Sequence, residues 1–153
     1  MIKFIKIFIF IASFLNLSEF TFAKDNLFNE GVKLFEKKKY EDAKFSFERS
    51  IVFDPKHANS YLYLAKIYKE QKDQKKEEKN LETTLLIDPL NEEAILMLME
   101  IGIKKTNYSK VKELSERFTK VCKNLCNENN KILEELKNLE PKNESWFKFK
   151  QDL

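Results

Sequence analysis

The residues that could carry chemistry in this 153-residue chain are few: one histidine, His57, and two cysteines, Cys122 and Cys126. A serine or cysteine nucleophile needs a base beside it, and His57 is the single imidazole available for that role. It follows Pro55 in an expected turn between two helical segments, so we interpret it as an exposed turn residue. The sequence therefore favours a protein that is not an enzyme.

Cofactor and metal chemistry find no matching motif either. A phosphate-binding loop needs several glycines at fixed spacing, and the chain has two glycines in all. A zinc site needs about four ligands. Cys122, Cys126 and the distant His57 do not make that set. We therefore expect no cofactor and no metal.

Cys122 and Cys126 lie four residues apart, next to Phe118 and Leu125. In a straight helix this spacing gives an allowed Cα separation but poorly directed Cβ atoms. A disulfide would need the helix to end between the two cysteines, and Asn124 permits such an end. The sequence leaves two alternatives open, a possible short disulfide loop or two small apolar thiols under a neighbouring helix.

The first 23 residues are typical of a secretory signal peptide. Lys3 and Lys6 form a basic start, an apolar run spans 7–17, and cleavage is predicted after Ala23. The apolar run is short for a membrane span, which needs about 20 residues. We expect an exported protein of the periplasm or cell envelope. The alternatives are secretion, or an uncleaved N-terminal anchor in the inner membrane.

The bulk composition indicates a folded helical protein without a strong electrostatic partner. Hydrophobic residues make up 42% and charged residues 35% of the chain, while Gly and Pro are too rare for a β-rich fold. A formal net charge of +3 does not indicate attraction to nucleic acid or anionic lipid. We expect a protein or peptide partner, no nucleic acid, and membrane contact only through residues 1–23 if they stay attached.

A 34-residue repeat organises the rest of the chain. Asp54-Pro55 recurs as Asp88-Pro89, each time after an apolar run. The same step aligns further pairs of similar residues: Leu27 with Tyr61, Gly31 with Ala65, Leu34 with Tyr68, Phe47 with Leu81, and Ile51 with Leu85. The apolar residues fall at helical spacing on one side of each segment. One helix pair cannot bury such a face alone, so stacked pairs must cover each other.

This pattern resembles the tetratricopeptide repeat family. The first unit carries the family's signature in Leu27, Gly31, Leu34, Tyr40, Ala43, Phe47 and Pro55. The second unit carries it in Tyr61, Leu64, Ala65, Tyr68, Leu81 and Pro89. Glu77 stands where the family has alanine, and in the third unit Met99, Gly102 and Lys123 depart from the pattern. The resemblance implies an all-α fold, a right-handed α-solenoid of antiparallel helix pairs.

The predicted domain is bounded by the signal peptide and a short tail. It spans residues 24–140, with repeats at about 24–57, 58–91 and 92–125 and a capping helix at about 128–139. Helices are predicted near 25–38, 41–54, 58–71, 74–87, 92–105 and 108–125. In the capping helix an apolar face is predicted from Ile132, Leu133, Leu136 and Leu139.

Residues 141–153 form the predicted C-terminal tail, which contains Trp146, Phe147 and Phe149. We expect these rings to dock on the last helix. The alternative is a short linear motif offered to a partner, because aromatic anchors dominate binding hot spots.

The prolines Pro55 and Pro89 are predicted to end their units and to start the next helix pair, where a missing N–H costs little.

The resemblance also implies where a partner would bind, because the first helix of each unit lines the inner face of the stack. The implied positions are Phe28, Val32, Phe35, Leu62, Lys66, Lys69, Leu96, Glu100 and Ile103. Such a face suits an amphipathic helix or an extended segment, although several of these residues could instead pack against neighbouring helices. The function expected is an exported protein-interaction scaffold or adaptor. Alternatives are a membrane-anchored assembly factor of the envelope and then a carrier of an apolar ligand.

Overall fold

The computed structural model describes residues 26–139, and every regular element in that part of the chain is an α-helix. The helices are α1 (26–36), α2 (Tyr40–Phe53), α3 (Ala58–Glu70), α4 (Gln74–Ile87), α5 (Glu92–Lys104), α6 (Tyr108–Val121) and α7 (Cys126–Leu139). The predicted all-α fold is confirmed. The predicted signal peptide and the aromatic tail lie outside the described residues.

The described helices fall into two compact units, which are taken separately below. Unit 1 holds α1 to α4, and within it α2 packs on α3 and α3 packs on α4. Unit 2 holds α5 to α7, and within it α5 packs on α6 while α7 contacts both. Within each unit, successive helices follow one another across short turns, as the repeat predicts.

The turn inside each helix pair recurs with the same 34-residue step. Lys38, Lys72 and Thr106 have φ angles of 57°, 58° and 54°, in the left-handed region. In the first of these turns, Lys39 donates its N–H to the carbonyl of Leu34 (2.9 Å), and the other two turns repeat this bond. Left-handed backbone costs an L-residue about 1–2 kcal/mol, so the packing of the two helices must offset that cost.

The recurring Asp-Pro pairs lie in loops, so the prediction that the prolines start the next helices is wrong. Helix α3 begins at Ala58, three residues after Pro55. The Asp54 carboxylate accepts the N–H of Lys56 (3.1 Å), and Asp88 makes the equivalent bond in its own loop (3.2 Å). An aspartate that binds the backbone two residues ahead forms a turn, and this turn explains why the dipeptide repeats.

The core of unit 1 is centred on Phe47, whose side chain is completely buried together with Ala43 and Ile67. A Cβ atom added to Gly31 would lie 2.6 Å from the nearest ring carbon of Phe47. Real Cβ atoms do not come that close, so α1 can approach Phe47 only with glycine at this position. The small residue predicted from the repeat therefore has a direct packing role.

In unit 2, α5 is buried over most of its surface, and α7 covers part of it. Ile132 and Leu136 are the buried apolar residues of α7. Leu133 is 36% exposed and Leu139 is 47% exposed, so the predicted four-residue apolar face is wrong at these two positions. Leu133 is one residue, about 100° of helix rotation, away from Ile132, and Leu139 is the last residue of the helix.

The helix predicted over 108–125 ends at Val121, because the backbone of Cys122 is extended (ψ 139°). The short loop that follows wraps the carboxylate of Glu92, the first residue of α5. That carboxylate accepts three backbone N–H groups, from Lys123 (2.8 Å), Asn124 (3.1 Å) and Leu125 (2.8 Å). These bonds join residues more than thirty positions apart in the sequence, so no local sequence pattern predicts them.

Cys122 and Cys126 form a disulfide across this loop, with their Cα atoms 5.4 Å apart. Helix α6 ends at Val121, just before Cys122, so the two cysteines do not lie in one continuous helix. We call the loop 122–126, its disulfide and the Glu92 carboxylate the Glu92 clasp.

Glu92→Gln should lower the melting temperature at neutral pH by removing the charge that the clasp binds. The N–H bonds, that of Leu125 above all, hold the pKa of Glu92 below the ordinary value of 4.5. A depressed folded-state pKa gives stability that is present above 4.5 and is lost as the pH falls through the lower value. The difference in melting temperature between native and variant chains should therefore shrink below pH 4.5.

A melting series against pH measures this, with Glu116→Gln on the exposed surface of α6 as the matched control. A gap that stayed constant through the acid range would contradict the bound carboxylate.

Candidate functional site

Rings from α1 and α2 of unit 1 converge on Tyr63 of α3. Its ring centroid lies 5.5 Å from that of Phe28, 5.4 Å from that of Phe35 and 5.0 Å from that of Phe47. The first two rings meet Tyr63 edge to face, an arrangement that aromatic pairs prefer. Phe47 is fully buried, whereas the other three rings stay half-buried. We call Phe28, Phe35 and Tyr63 the aromatic patch.

A lysine gives this patch a positive edge. The ammonium of Lys66 lies 4.5 Å from the centroid of the Tyr63 ring, within the range of a cation–π interaction. Lys69 follows one turn later on α3 and is also half-buried. Val32 packs against the same core from α1. The patch thus combines apolar surface, a phenol hydroxyl and ammonium donors on α1 and α3.

Unit 2 offers a cleft of about 280 Å³ between α5 and α7. Its lining residues are Glu100, Ile103 and Lys104 of α5 with Lys131, Ile132 and Glu135 of α7. The two isoleucines provide buried apolar surface, and two acids and two bases surround it. Pockets for small molecules usually measure roughly 300–1,000 Å³. This cleft therefore lies at the lower edge of that size range.

The nine positions implied by the resemblance do not share one environment. Phe28, Val32, Phe35, Lys66 and Lys69 are half-buried on α1 and α3 of unit 1, and Glu100 and Ile103 line the cleft of unit 2. Leu62 is 5% exposed and Leu96 is 7% exposed. These two leucines are core positions in this structure, so they offer a partner little surface.

Tyr63 is the residue that sequence reasoning missed. The repeat aligns it with Asn29, which is not aromatic, so the 34-residue step gave no signal for it. A weaker signal was available, because Tyr63 lies three residues before Lys66 and such residues share one side of a helix. Lys131 and Glu135 were missed because α7 was interpreted only as a cover for the last repeat.

His57 is not the exposed turn residue that the sequence suggested. Its ring is half-buried, with its centroid 4.7 Å from that of Phe28. Its Nδ1 lies 2.7 Å from the hydroxyl of Ser60, which in turn donates to Ser50 (3.1 Å). Both serines are completely buried, so no substrate can reach the Ser60 oxygen. The bond from Ser60 to Ser50 joins α3 to α2, and the histidine–serine pair is not arranged as a nucleophile and base.

Two further properties concern the part of the chain between residues 26 and 139. No three of its His, Cys, Asp or Glu side chains come together in a way that could hold a metal ion. None of its helices has both the length and the apolar composition needed to span a bilayer.

The chain superimposes on the TPR2B domain of yeast Sti1 with a TM-score of 0.70 at 14% identity, over 77% of this chain and 98% of that one. The fold is that of a tetratricopeptide-repeat domain. In the tetratricopeptide-repeat fold, α1–α2, α3–α4 and α5–α6 are the helix pairs and α7 follows the last of them.

Two other solved structures are similar at comparable coverage. The type III secretion chaperone SycD of Yersinia enterocolitica matches with a TM-score of 0.67 at 16% identity, over 74% of this chain and 91% of that one. The Sgt2 domain of Aspergillus fumigatus matches with a TM-score of 0.63 at 19% identity, over 75% and 77%. No family model and no curated protein matches the sequence.

Proposed function

We propose that this chain is an exported adaptor that binds a segment of a partner protein on the α1–α3 face of its tetratricopeptide-repeat domain. The observation that carries the proposal is the aromatic patch. Its three rings stay half-exposed beside a completely buried core, and Lys66 adds a positive charge at its edge. Aromatic anchors, tyrosine among them, are enriched in binding hot spots.

Solved domains of this fold support a peptide partner. The SycD structure contains a peptide of the translocator YopD, and the Sti1 TPR2B domain was solved as a complex with pHsp70. A partner segment on this chain would place an apolar side chain against Phe28 and Tyr63 and an acceptor near Lys66. That arrangement uses surface pockets for specificity, as in other helical peptide-binding grooves.

The export part of the proposal rests on residues 1–23, which we propose are removed after Ala23. The basic start and short apolar run support a signal peptide. The disulfide between Cys122 and Cys126 also suits an oxidising compartment such as the periplasm or cell envelope. An uncleaved anchor in the inner membrane is the competing proposal.

Lys66→Glu should weaken partner binding about tenfold, which corresponds to about 1.4 kcal/mol. The charge reversal acts at the edge of the aromatic patch. Because Lys66 is only half-buried, replacing its side chain should leave the fold intact. Lys79→Glu makes the same charge change on an exposed part of α4 and serves as the matched control. Titration of the purified partner against native, Lys66→Glu and Lys79→Glu chains gives the three dissociation constants.

The partner is first recovered by affinity purification of the full chain from its native host. Equal affinity of the two variants, at native melting temperatures, would refute the α1–α3 face as the binding site. The mass of the recovered chain tests export in the same preparation. A chain that begins at Lys24 supports cleavage, and a chain that retains Met1 supports the anchor.

A further inference from the structure

The Glu92 clasp depends on a loop conformation that a disulfide encloses. The N–H groups of Lys123, Asn124 and Leu125 point at one carboxylate, which makes the loop a small anion-binding nest. Three successive N–H groups converge only in a restricted set of backbone conformations. The bond between Cys122 and Cys126 closes the loop around these residues and removes most of its other conformations.

The clasp joins the beginnings of the two helices that border the cleft. Glu92 is the first residue of α5 and Cys126 is the first residue of α7. The cleft lies further along both helices, at Ile103 and Ile132. Any change that frees the loop therefore loosens the end of α7 that precedes its cleft residues.

Apart from the clasp, α7 is held by little buried surface. Ile132 and Leu136 are its buried apolar residues, and Asn129 is the third buried residue. The Asn129 amide donates to the Thr119 hydroxyl (3.2 Å), but its own buried oxygen has no hydrogen-bond partner among the described residues. An unsatisfied buried polar atom weakens this contact. The covalent loop and these three buried residues together fix α7.

We propose that the Glu92 clasp is a thiol–disulfide switch: oxidised, it holds α7 beside α5 and keeps the cleft formed, and reduced, it releases α7 and the cleft is lost. The switch itself needs no partner. It therefore does not rest on the proposed adaptor function.

The reductant required is a dithiol. Cys126 is exposed and Cys122 is half-buried, so a thiolate of the dithiol attacks the Sγ of Cys126 and the Sγ of Cys122 leaves and takes up a proton. The second thiolate then attacks the mixed disulfide, and the Sγ of Cys126 leaves and is protonated. The dithiol ends as a disulfide, and the two electrons and two protons it gives up appear as two cysteine thiols.

Hydrogen exchange of the full chain, read by mass spectrometry with and without excess dithiothreitol, tests the switch. After reduction, the amides of 123–125 and of α7 should exchange about tenfold faster, while those of α2 and α6 keep their protection. Cys122→Ser with Cys126→Ser should reproduce the reduced pattern without reductant. Glu92→Gln in the oxidised chain should speed exchange at the same amides and nowhere else.

Unchanged exchange in α7 after complete reduction, verified by a count of two free thiols, would overturn the proposal. An equal increase in the exchange rate of α5, α6 and α7 would also overturn it, since the disulfide would then stabilise the whole of unit 2. Both results are independent of partner binding, so they leave the test at Lys66 unaffected.

Discussion

Phe47→Ala is expected to lower the free energy of unfolding by about 3–5 kcal/mol, the usual cost of truncating a buried aromatic ring. The Phe47 side chain is 0% exposed, and it supports the rings of Phe28 and Tyr63 from below. Gly31 packs directly against it and has no side chain that could move into the space. The variant therefore keeps a cavity and also loses the support of the aromatic patch.

Phe45→Ala is the matched control, because Phe45 lies two residues earlier on the same helix and is 61% exposed. Its substitution should change stability by no more than about 0.5 kcal/mol. Denaturant unfolding followed by circular dichroism measures both. Similar losses for the two variants would mean that Phe47 is not the centre of the unit 1 core.

Gly102→Tyr should destabilise the protein by about 3 kcal/mol, at the upper end of the cost of overpacking. The 34-residue step aligns Gly102 with Tyr68 of the second unit, so the substitution restores the residue of that unit and is nevertheless unfavourable. A Cβ atom at Gly102 would lie 2.7 Å from a methyl carbon of Val111, which is completely buried and cannot move aside. The gain in helix propensity of tyrosine over glycine, about 0.5 kcal/mol, is too small to offset this.

Lys104→Tyr, on an exposed position of the same helix, is the control for introducing tyrosine. Gly102→Ala should be rescued in part by Val111→Ala, which removes the clashing methyl groups. If Gly102→Tyr and Lys104→Tyr have the same melting temperature, the contact between Gly102 and Val111 does not prevent a larger side chain at position 102.

The helices could be predicted from the sequence because their signal is local. Apolar residues at helical spacing mark each helix, and the 34-residue step marks each pair, so α4 was predicted with the ends that the structure has. The end of α6 was predicted four residues too late, since it depends on the carboxylate of Glu92, about thirty residues away. The starts of α3 and α5 were predicted at the residues that the structure has, but Pro55 and Pro89 lie in the loops before these helices and do not start them.

The candidate site was harder to predict than the fold. Phe28 and Lys66 follow from their places in the repeat, but Tyr63 of α3 matters because α1 and α2 both bring rings to it. These rings come from separate stretches of the sequence, so no local pattern predicts their contact. His57 shows the same limit, since its half-buried state comes from Phe28 on another helix. Side chains defined by contacts between elements need the packed structure.

The chain uses its two glycines where helices press together, at Gly31 and Gly102, and uses none at the left-handed positions Lys38, Lys72 and Thr106. A single helix pair taken out of this chain would keep its unfavourable turn and lose the neighbouring helices that pack against it. The smallest fragment that folds by itself should therefore contain more than one helix pair. If further helix pairs were added by design, glycine at the left-handed position of each new turn would increase stability.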